Sequence, residues 1–242
     1  MINRAASFQG ISRAPYWVTL SVSSVQIDGQ AHLLAVASDI TELRELNDML
    51  AYQANHDAQT GLFNRREFGR RLDAATALVD GNWRSAMLYF DLDHFKVIND
   101  TSGHTAGDQL LAQLASLMSS HLVDGETIAR LGGDEFGVLI EGTTIAAALA
   151  CAERMRRSVE GFEFSWEDRL YSVSASIGVV MIDRPGMTQR EILSLADTAC
   201  YMAKERGRNR VHLYSDEDAE ILRRRSELRW AGKLRQALAD GR

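Results

Sequence analysis

Short apolar runs separated by glycine, proline and acidic turns recur along the chain, some at strand period and some at helix period. Tyr16 to Ile27 has strand character, Asp28-Gly29 is a hairpin signal, and His32 to Ser38 reads as a second strand. Asp39-Ile40-Thr41-Glu42 resembles a capping box with Asp39 as N-cap. Leu43, Leu46 and Leu50 follow at 3/4 spacing and fit either a coiled-coil seam or one amphipathic helix docked on its own domain. Arg65 to Val79 is an amphipathic helix with Phe68, Leu72, Ala75 and Val79 on one face. Ser85 to Phe90 is a mostly apolar run suited to a buried strand.

Further on, Gly103-His104 and Gly107-Asp108 read as a glycine-bounded loop that His104 organises. A helix from Asp108 to Leu122 carries Leu110, Leu111, Leu114, Leu117 and Met118. Phe136 to Ile140 predicts a strand and Thr143 to Val159 an alanine-rich helix. Leu170 to Ile182 predicts a long strand or strand pair, ended by Asp183-Arg184-Pro185-Gly186. An alanine-rich helix starts near Ala196 and stops near Gly207, Arg210 to Tyr214 is strand-like, and Ser215 N-caps a helix to about Ala239. The pattern is α/β.

Three places carry candidate chemistry. Arg130-Leu-Gly-Gly-Asp-Glu-Phe136 puts two glycines and two acids where a strand begins, which predicts a tight hairpin. Its acids, Asp134 and Glu135, suit a hard cation that takes oxygen ligands, and Gly132 and Gly133 let the backbone approach a ligand closely. Alone, the same residues also make an ordinary acidic turn. The Ser85 run ends in Asp91-Leu92-Asp93, and acids at the end of a buried strand are costly unless a cation or hydrogen bonds compensate them. Asp91 and Asp93 share a strand face, so a metal has one or both available. Downstream, Lys204 and Arg208 stand one helical turn apart and flank one anion if the helix runs unbroken between them. The plainer alternative is a cationic last turn that complements the helix dipole.

Composition narrows the class. The 242 residues are 45% hydrophobic and 25% charged, ordinary for a globular chain of one large domain or one domain plus pieces. No apolar run approaches the roughly 18 residues of a membrane span, and Met1 to Gly10 has no apolar core of a secretory signal. Cys151 and Cys200 fall in helix-like segments, as buried thiols of a reducing cytoplasm do. A net charge of −6 argues against a general nucleic-acid surface. Cations for a phosphate must then be local, as Lys96, Lys204 and Arg208 are.

Together the segments resemble the GGDEF-domain diguanylate cyclases. The resemblance runs from about Asp57 to Tyr214, nearly two thirds of the chain. It rests on Phe90-Asp-Leu-Asp-His-Phe-Lys-Val-Ile-Asn-Asp100, on Gly103-His104 with Gly107-Asp108, and on Gly132-Gly-Asp-Glu-Phe136. Ser174-Ala-Ser-Ile-Gly178 and the Ala196 to Arg210 segment complete it in the family's order and spacing. The resemblance implies a palm-like, mostly antiparallel central sheet wrapped by helices. It implies condensation of two GTP into cyclic di-GMP and two pyrophosphates, with two Mg²⁺ (or Mn²⁺) per active site, across a homodimer. Placed on this chain, Asp91, Asp134 and the Leu92 carbonyl hold metal, and Glu135 either binds the second ion or deprotonates the ribose 3′-hydroxyl. His94, Phe95, Gly132 and Gly133 contact substrate, and Lys96, Lys204 and Arg208 hold its β- and γ-phosphates. Asn99 and Asp108 hydrogen-bond the guanine, Asp108 through N1–H and N2–H, while Leu62 and Leu111 wall the base pocket.

The chain departs from the family in two places. Gln59 stands in Asp57-Ala-Gln-Thr-Gly-Leu62 where relatives usually carry leucine, and is expected to loosen this loop without abolishing activity. Val123-Asp-Gly-Glu126 occupies the window of the inhibitory product site Arg-x-x-Asp, with Val123 and Glu126 in place of its arginine and aspartate. Feedback inhibition through that site is therefore expected to be absent. The flanks add further resemblances. Residues 1–38 are similar to the last strands of a PAS domain and 39–56 to its exit helix. Residues 215–242 are similar to the connector that precedes EAL phosphodiesterase domains, so the chain reads as a fragment of something longer. Two other functions fit the same features: a GTP-binding module that regulates an adjacent EAL domain, and a non-enzymatic dimerisation unit.

Overall fold

The computed structural model describes residues 2–9, 15–80 and 83–221. It comprises two compact units, Met1–Asn55 and His56–Arg242. In the first, β1 (Ile2–Gln9), β2 (Pro15–Ile27) and β3 (Gln30–Asp39) form an antiparallel sheet in that order, followed by α1 (Thr41–Asn55). Asp28 and Gly29, at φ 51° and 79°, make the turn with two positive φ angles that joins twisted strands. Asp39 caps through Thr41, accepting its N–H at 2.9 Å and its hydroxyl at 2.6 Å. β1 is a strand that hydrophobic patterning does not reveal; its apolar residues neither alternate nor branch at Cβ beyond Ile2. Leu43, Leu46, Met49 and Leu50 of α1 are exposed.

The second unit runs β4 (Phe63–Asn64), α2 (Arg65–Ala77), β5 (Ser85–Asp93), α3 (Phe95–Ser102), α4 (His104–Ser120), β6 (Glu126–Gly132), β7 (Glu135–Ile140) and α5 (Ile145–Glu160). It continues with β8 (Glu163–Trp166), β9 (Arg169–Ser172), β10 (Ser174–Ile182), α6 (Gln189–Glu205) and β11 (Val211–Leu213). The six-stranded sheet has the order β11-β10-β5-β7-β6-β4, antiparallel except at its two outer pairs, and β8 and β9 form a separate hairpin. The class is mixed α/β with a mostly antiparallel central sheet wrapped by helices.

Period-two alternation on β5 explains the layering. Leu88, Phe90 and Leu92 pack with α4 and α5 through Leu110, Leu114, Met118, Cys151 and Met155. Met87 and Tyr89 pack on the other face with α2 and α6 through Phe68, Leu72, Ile192, Ala196 and Cys200. With both faces covered, β5 carries no charged side chain before Asp91, and Tyr89 supplies the one polar group between Ser85 and Asp91. Its acids come at its C-terminal end, Asp91 and Asp93. Burial raises the pKa of both cysteine thiols, that of Cys151 to about 12.

Four further stretches sharpen or correct the pattern. The stretch expected as a loop over Gly103–Gly107 is helix: α4 begins at His104, which is exposed and has no loop to organise, and only Gly103 (φ 83°) breaks the chain. Gly107 lies inside α4 because an added Cβ would fall 2.0 Å from Asn99 Oδ1. Phe95–Ser102 is the helix α3. The Leu170–Ile182 stretch takes the second of its two expected forms, a strand pair, with β9 and β10 in different sheets. The helix expected after Ser215 is present over residues 216–221, and its extension to Ala239 lies outside the described residues.

Glu67, on α2, is 6% exposed and accepts from Arg70 Nη2 at 2.7 Å and Arg71 Nε at 3.0 Å. The Arg70 hydrogen bond, opposed by burial and aided by Arg71, lowers its pKa from 4.5 to about 2. A carboxylate depressed in the folded state contributes stability fully above its unfolded pKa and loses it as pH falls. Urea unfolding should therefore show stability falling between about pH 4.5 and pH 2, with a shallower fall in Glu67→Gln. An equally steep fall in the variant would assign acid sensitivity elsewhere.

Candidate active site

The end of β5, the β6–β7 hairpin and the segment after α6 converge on one cavity of about 200 Å³. Asp91, Leu92, Asp93, His94, Phe95, Lys96, Asp134, Lys204 and Arg208 line it. His94 adopts φ 62° and turns the chain from β5 into α3. Gly132 and Gly133, at φ 149° and 51°, form the hairpin tip and have open space where a Cβ would stand. The cavity is smaller than the roughly 300–1,000 Å³ that encloses a drug-sized ligand. Its charges suit a phosphate group and counter-ions.

Asp91 is the electrostatic centre. Lys204 Nζ lies 2.5 Å from Asp91 Oδ2. Burial raises the Asp91 pKa, Lys204 lowers it, and Asp134 and Glu135 raise it again, for a net rise. Three carboxylates in mutual repulsion are relieved by a cation. Among the described residues no three acidic, histidine or cysteine side chains group as a ready metal cage. Asp91, Asp134 and the Leu92 carbonyl do fit Mg²⁺, which uses one or two carboxylates and completes its shell with water and substrate phosphates.

Asp93 does different work from Asp91. It is 5% exposed and accepts from Ser174 Oγ at 2.8 Å, Ser176 Oγ at 2.8 Å and the Asn209 N–H at 3.0 Å. Two further bonds fasten Asn209: its Nδ2 donates to Glu160 at 2.6 Å and its Oδ1 accepts from Arg156 at 2.7 Å. The residue beside it, Arg208, reaches the cavity by a route unlike the expected helical turn. α6 ends at Glu205, and left-handed Arg208 (φ 58°) and Asn209 (φ 46°) fold the chain back.

Glu135 pairs with Asp91 across β5 and β7. It borders a neighbouring cleft of about 600 Å³ with Tyr89, Arg65, Arg190 and Asp197, separate from the lining around Asp134. Burial, then hydrogen bonding to Glu135, keeps the Tyr89 hydroxyl protonated. Asn99 Oδ1, against Gly107, is buried with no hydrogen-bond partner. Leu62 and Leu111 are buried in the cluster that includes Phe95. Asp108 is exposed on α4. Gln59 does not loosen its loop, because its amide is bonded at both ends, to Asp108 at 2.6 Å and to Arg130. At the product-site window, Arg154 Nη2 binds both Glu126 oxygens, at 2.9 and 3.0 Å, and the Val123 N–H donates to Glu126 at 3.1 Å. Local sequence did not reveal the Asp93 anchor, the Tyr89–Glu135 pair or the Gln59 bridge, since each depends on a distant partner.

Residues 54–210 match the family model described as "Diguanylate cyclase, GGDEF domain". The chain is 43% identical over 185 residues to the probable diguanylate cyclase DgcE of Escherichia coli, covering 76% of this chain and 17% of that protein. It is 38% identical over 208 residues to the cyclic di-GMP phosphodiesterase PdeB of Shewanella oneidensis, covering 86% of this chain and 24% of that one. The chain thus spans less than a quarter of either relative. Among solved structures, the coiled coil and GGDEF domain of DgcB from Caulobacter crescentus, in complex with c-di-GMP, superposes with a TM-score of 0.67 at 29% identity, over 72% of this chain and 93% of that one. On the motif, the sheet that presents it and these matches, the chain belongs to the GGDEF diguanylate cyclase domain family.

Proposed function

We propose that the chain condenses two GTP molecules into cyclic di-GMP and two pyrophosphates. The observation that carries this reading is the single cavity where Asp91 and Asp134 meet Lys96, Lys204 and Arg208. The cations would hold the β- and γ-phosphates, and Asn99 and Asp108 the guanine. Asp91, Asp134 and the Leu92 carbonyl would hold Mg²⁺ or Mn²⁺, two ions per site with Glu135 nearby. Such ions lower the pKa of a bound hydroxyl and offset phosphate charge. Each ribose 3′-oxygen forms a bond to the α-phosphorus of the other GTP as the α–β bridge breaks and pyrophosphate leaves. Glu135, oriented by Tyr89, takes the hydroxyl proton. One domain holds one GTP, so two sites must face each other in a homodimer. The ion pair of Glu126 with Arg154 supports a product-inhibition site that is absent. The reading includes PAS and EAL neighbours in a longer, cytoplasmic parent, carried by the resemblance of the two flanks. Among the described residues no helix is long and apolar enough to cross a membrane.

A second reading, a GTP-binding module that regulates an adjacent phosphodiesterase, is favoured by the name of the relative PdeB. The test is the purified chain with GTP and Mg²⁺ over a series of protein concentrations. Cyclic di-GMP should form, at a specific rate that rises with protein concentration, and progress curves should stay free of product inhibition. GTP bound without product would favour the regulatory module. No guanine nucleotide bound would favour a dimerisation unit.

A further inference from the structure

A hydrogen-bond chain joins the tip of the acidic hairpin to the carboxylate that reads the base. Arg130 Nε and Nη2 both donate to the Gly133 carbonyl, at 3.0 and 2.8 Å. Its Nη1 donates to Asp57 Oδ1 at 3.1 Å and to Gln59 Oε1. Gln59 Nε2 then donates to Asp108 Oδ1 at 2.6 Å. The direction is fixed chemically. A guanidinium only donates, so the Gln59 oxygen must face Arg130 and its NH₂ must face Asp108. Arg130 is itself held, with its side chain 11% exposed and Asp57 fixed by the Thr60 N–H and hydroxyl. The leucine usual at this position has neither donor nor acceptor.

We infer that Gln59 is a positioning residue for guanine recognition, presetting the Asp108 carboxylate from a platform shared with the hairpin. The inference rests on the guanine role proposed for Asp108. A carboxylate has about four lone-pair sites, so Oδ1 accepts from Gln59 and still faces a base. Guanine offers N1–H and N2–H side by side, and meeting both requires the carboxylate plane to be held. Hypoxanthine offers only N1–H, which a rotated carboxylate still accepts. Orienting the acceptor before binding lowers the ordering cost for guanine more than for hypoxanthine. The residue that departs from the family thereby becomes a determinant of base selectivity in this chain.

The test is calorimetric binding of 3′-deoxyguanosine triphosphate and 3′-deoxyinosine triphosphate with Mg²⁺, since neither has the 3′-hydroxyl needed to react. Gln59→Met, near in length but without the amide, and Gln59→Leu are compared with the unaltered chain. Both variants should bind the guanine analogue about three- to tenfold more weakly, the worth of one hydrogen bond. Binding of the hypoxanthine analogue should change less than about twofold, so the ratio narrows. Unchanged guanine affinity, or equal weakening of both analogues, would overturn the inference while leaving the cyclase reading standing. If the unaltered chain binds neither analogue, the guanine role of Asp108 fails and the inference with it.

Discussion

Asp134→Ala is expected to abolish cyclic di-GMP formation while the fold stays intact. Asp134 lines the cavity with Asp91, and its backbone carbonyl accepts from the Leu92 N–H at 3.3 Å. The carbonyl survives the substitution and the side chain does not, so the hairpin keeps its tie to β5. What is lost is one of the two cavity carboxylates proposed to hold the metal against the reacting phosphates. A loss of about 4 kcal/mol of charge stabilisation corresponds to roughly a thousandfold in rate. Stability should not follow activity. Asp134 raises the pKa of Asp91, so its removal relieves a repulsion and leaves Lys204 a less contested partner. The thermal midpoint without metal should therefore be unchanged or higher. Added Mg²⁺ should raise the midpoint of the unaltered chain and barely move that of the variant, because a ligand stabilises only the form that binds it. Retained turnover in Asp134→Ala would show that the metal assignment is wrong.

Local chemistry made the acidic hairpin and β5 legible in the sequence. The Gly132-Gly133 pair has one common use between extended segments, and the run from Ser85 to Phe90 has no polar interruption that would suit a helix surface. Other stretches were less legible for the opposite reason. Phe95–Ser102 becomes a helix on only two buried positions, Phe95 and Ile98, behind a left-handed His94 that supplies no capping hydrogen bond. Its β-branched Val97, Ile98 and Thr101 argue against a helix until tertiary packing is known. Gly107 looks like a helix boundary, yet it is there to make room for Asn99. Val173 continues the alternation of Leu170–Ile182, so nothing local marks the change of sheet. At the site, residue types were enough to nominate Asp91, Lys96, Asp134, Lys204 and Arg208. They were not enough to separate Asp91 from Asp93. The two share a strand face and a residue type, and they differ only in partners that lie 81 and more residues away.

That difference predicts a variant which damages fold and substrate binding together. In Asp93→Ala the Ser174 and Ser176 hydroxyls and the Asn209 N–H lose one shared acceptor. Ser176 is fully buried, so water cannot replace the lost bond without opening the sheet. Removing a buried, multiply bonded carboxylate costs about 2–4 kcal/mol. For a domain of this size that lowers the thermal midpoint by roughly 5–12 °C. The effect on the site follows from the backbone. Arg208 and Asn209 are consecutive non-glycine residues at positive φ, a conformation that persists only where its surroundings hold it. Asp93 holds it through the Asn209 N–H, and Arg156 and Glu160 hold the Asn209 side chain. If the backbone bond is the decisive restraint, Asp93→Ala releases Arg208 from the cavity and raises the KM for GTP several-fold. Ser174→Ala removes one bond, keeps that restraint, and should cost only about 1 kcal/mol with KM unchanged. If the side-chain clamp from α5 is enough, both variants lose stability and neither moves KM. Measuring KM and thermal midpoint on the two variants therefore decides whether Asp93 supports only the fold or also presents Arg208, the proposed phosphate ligand, to the cavity.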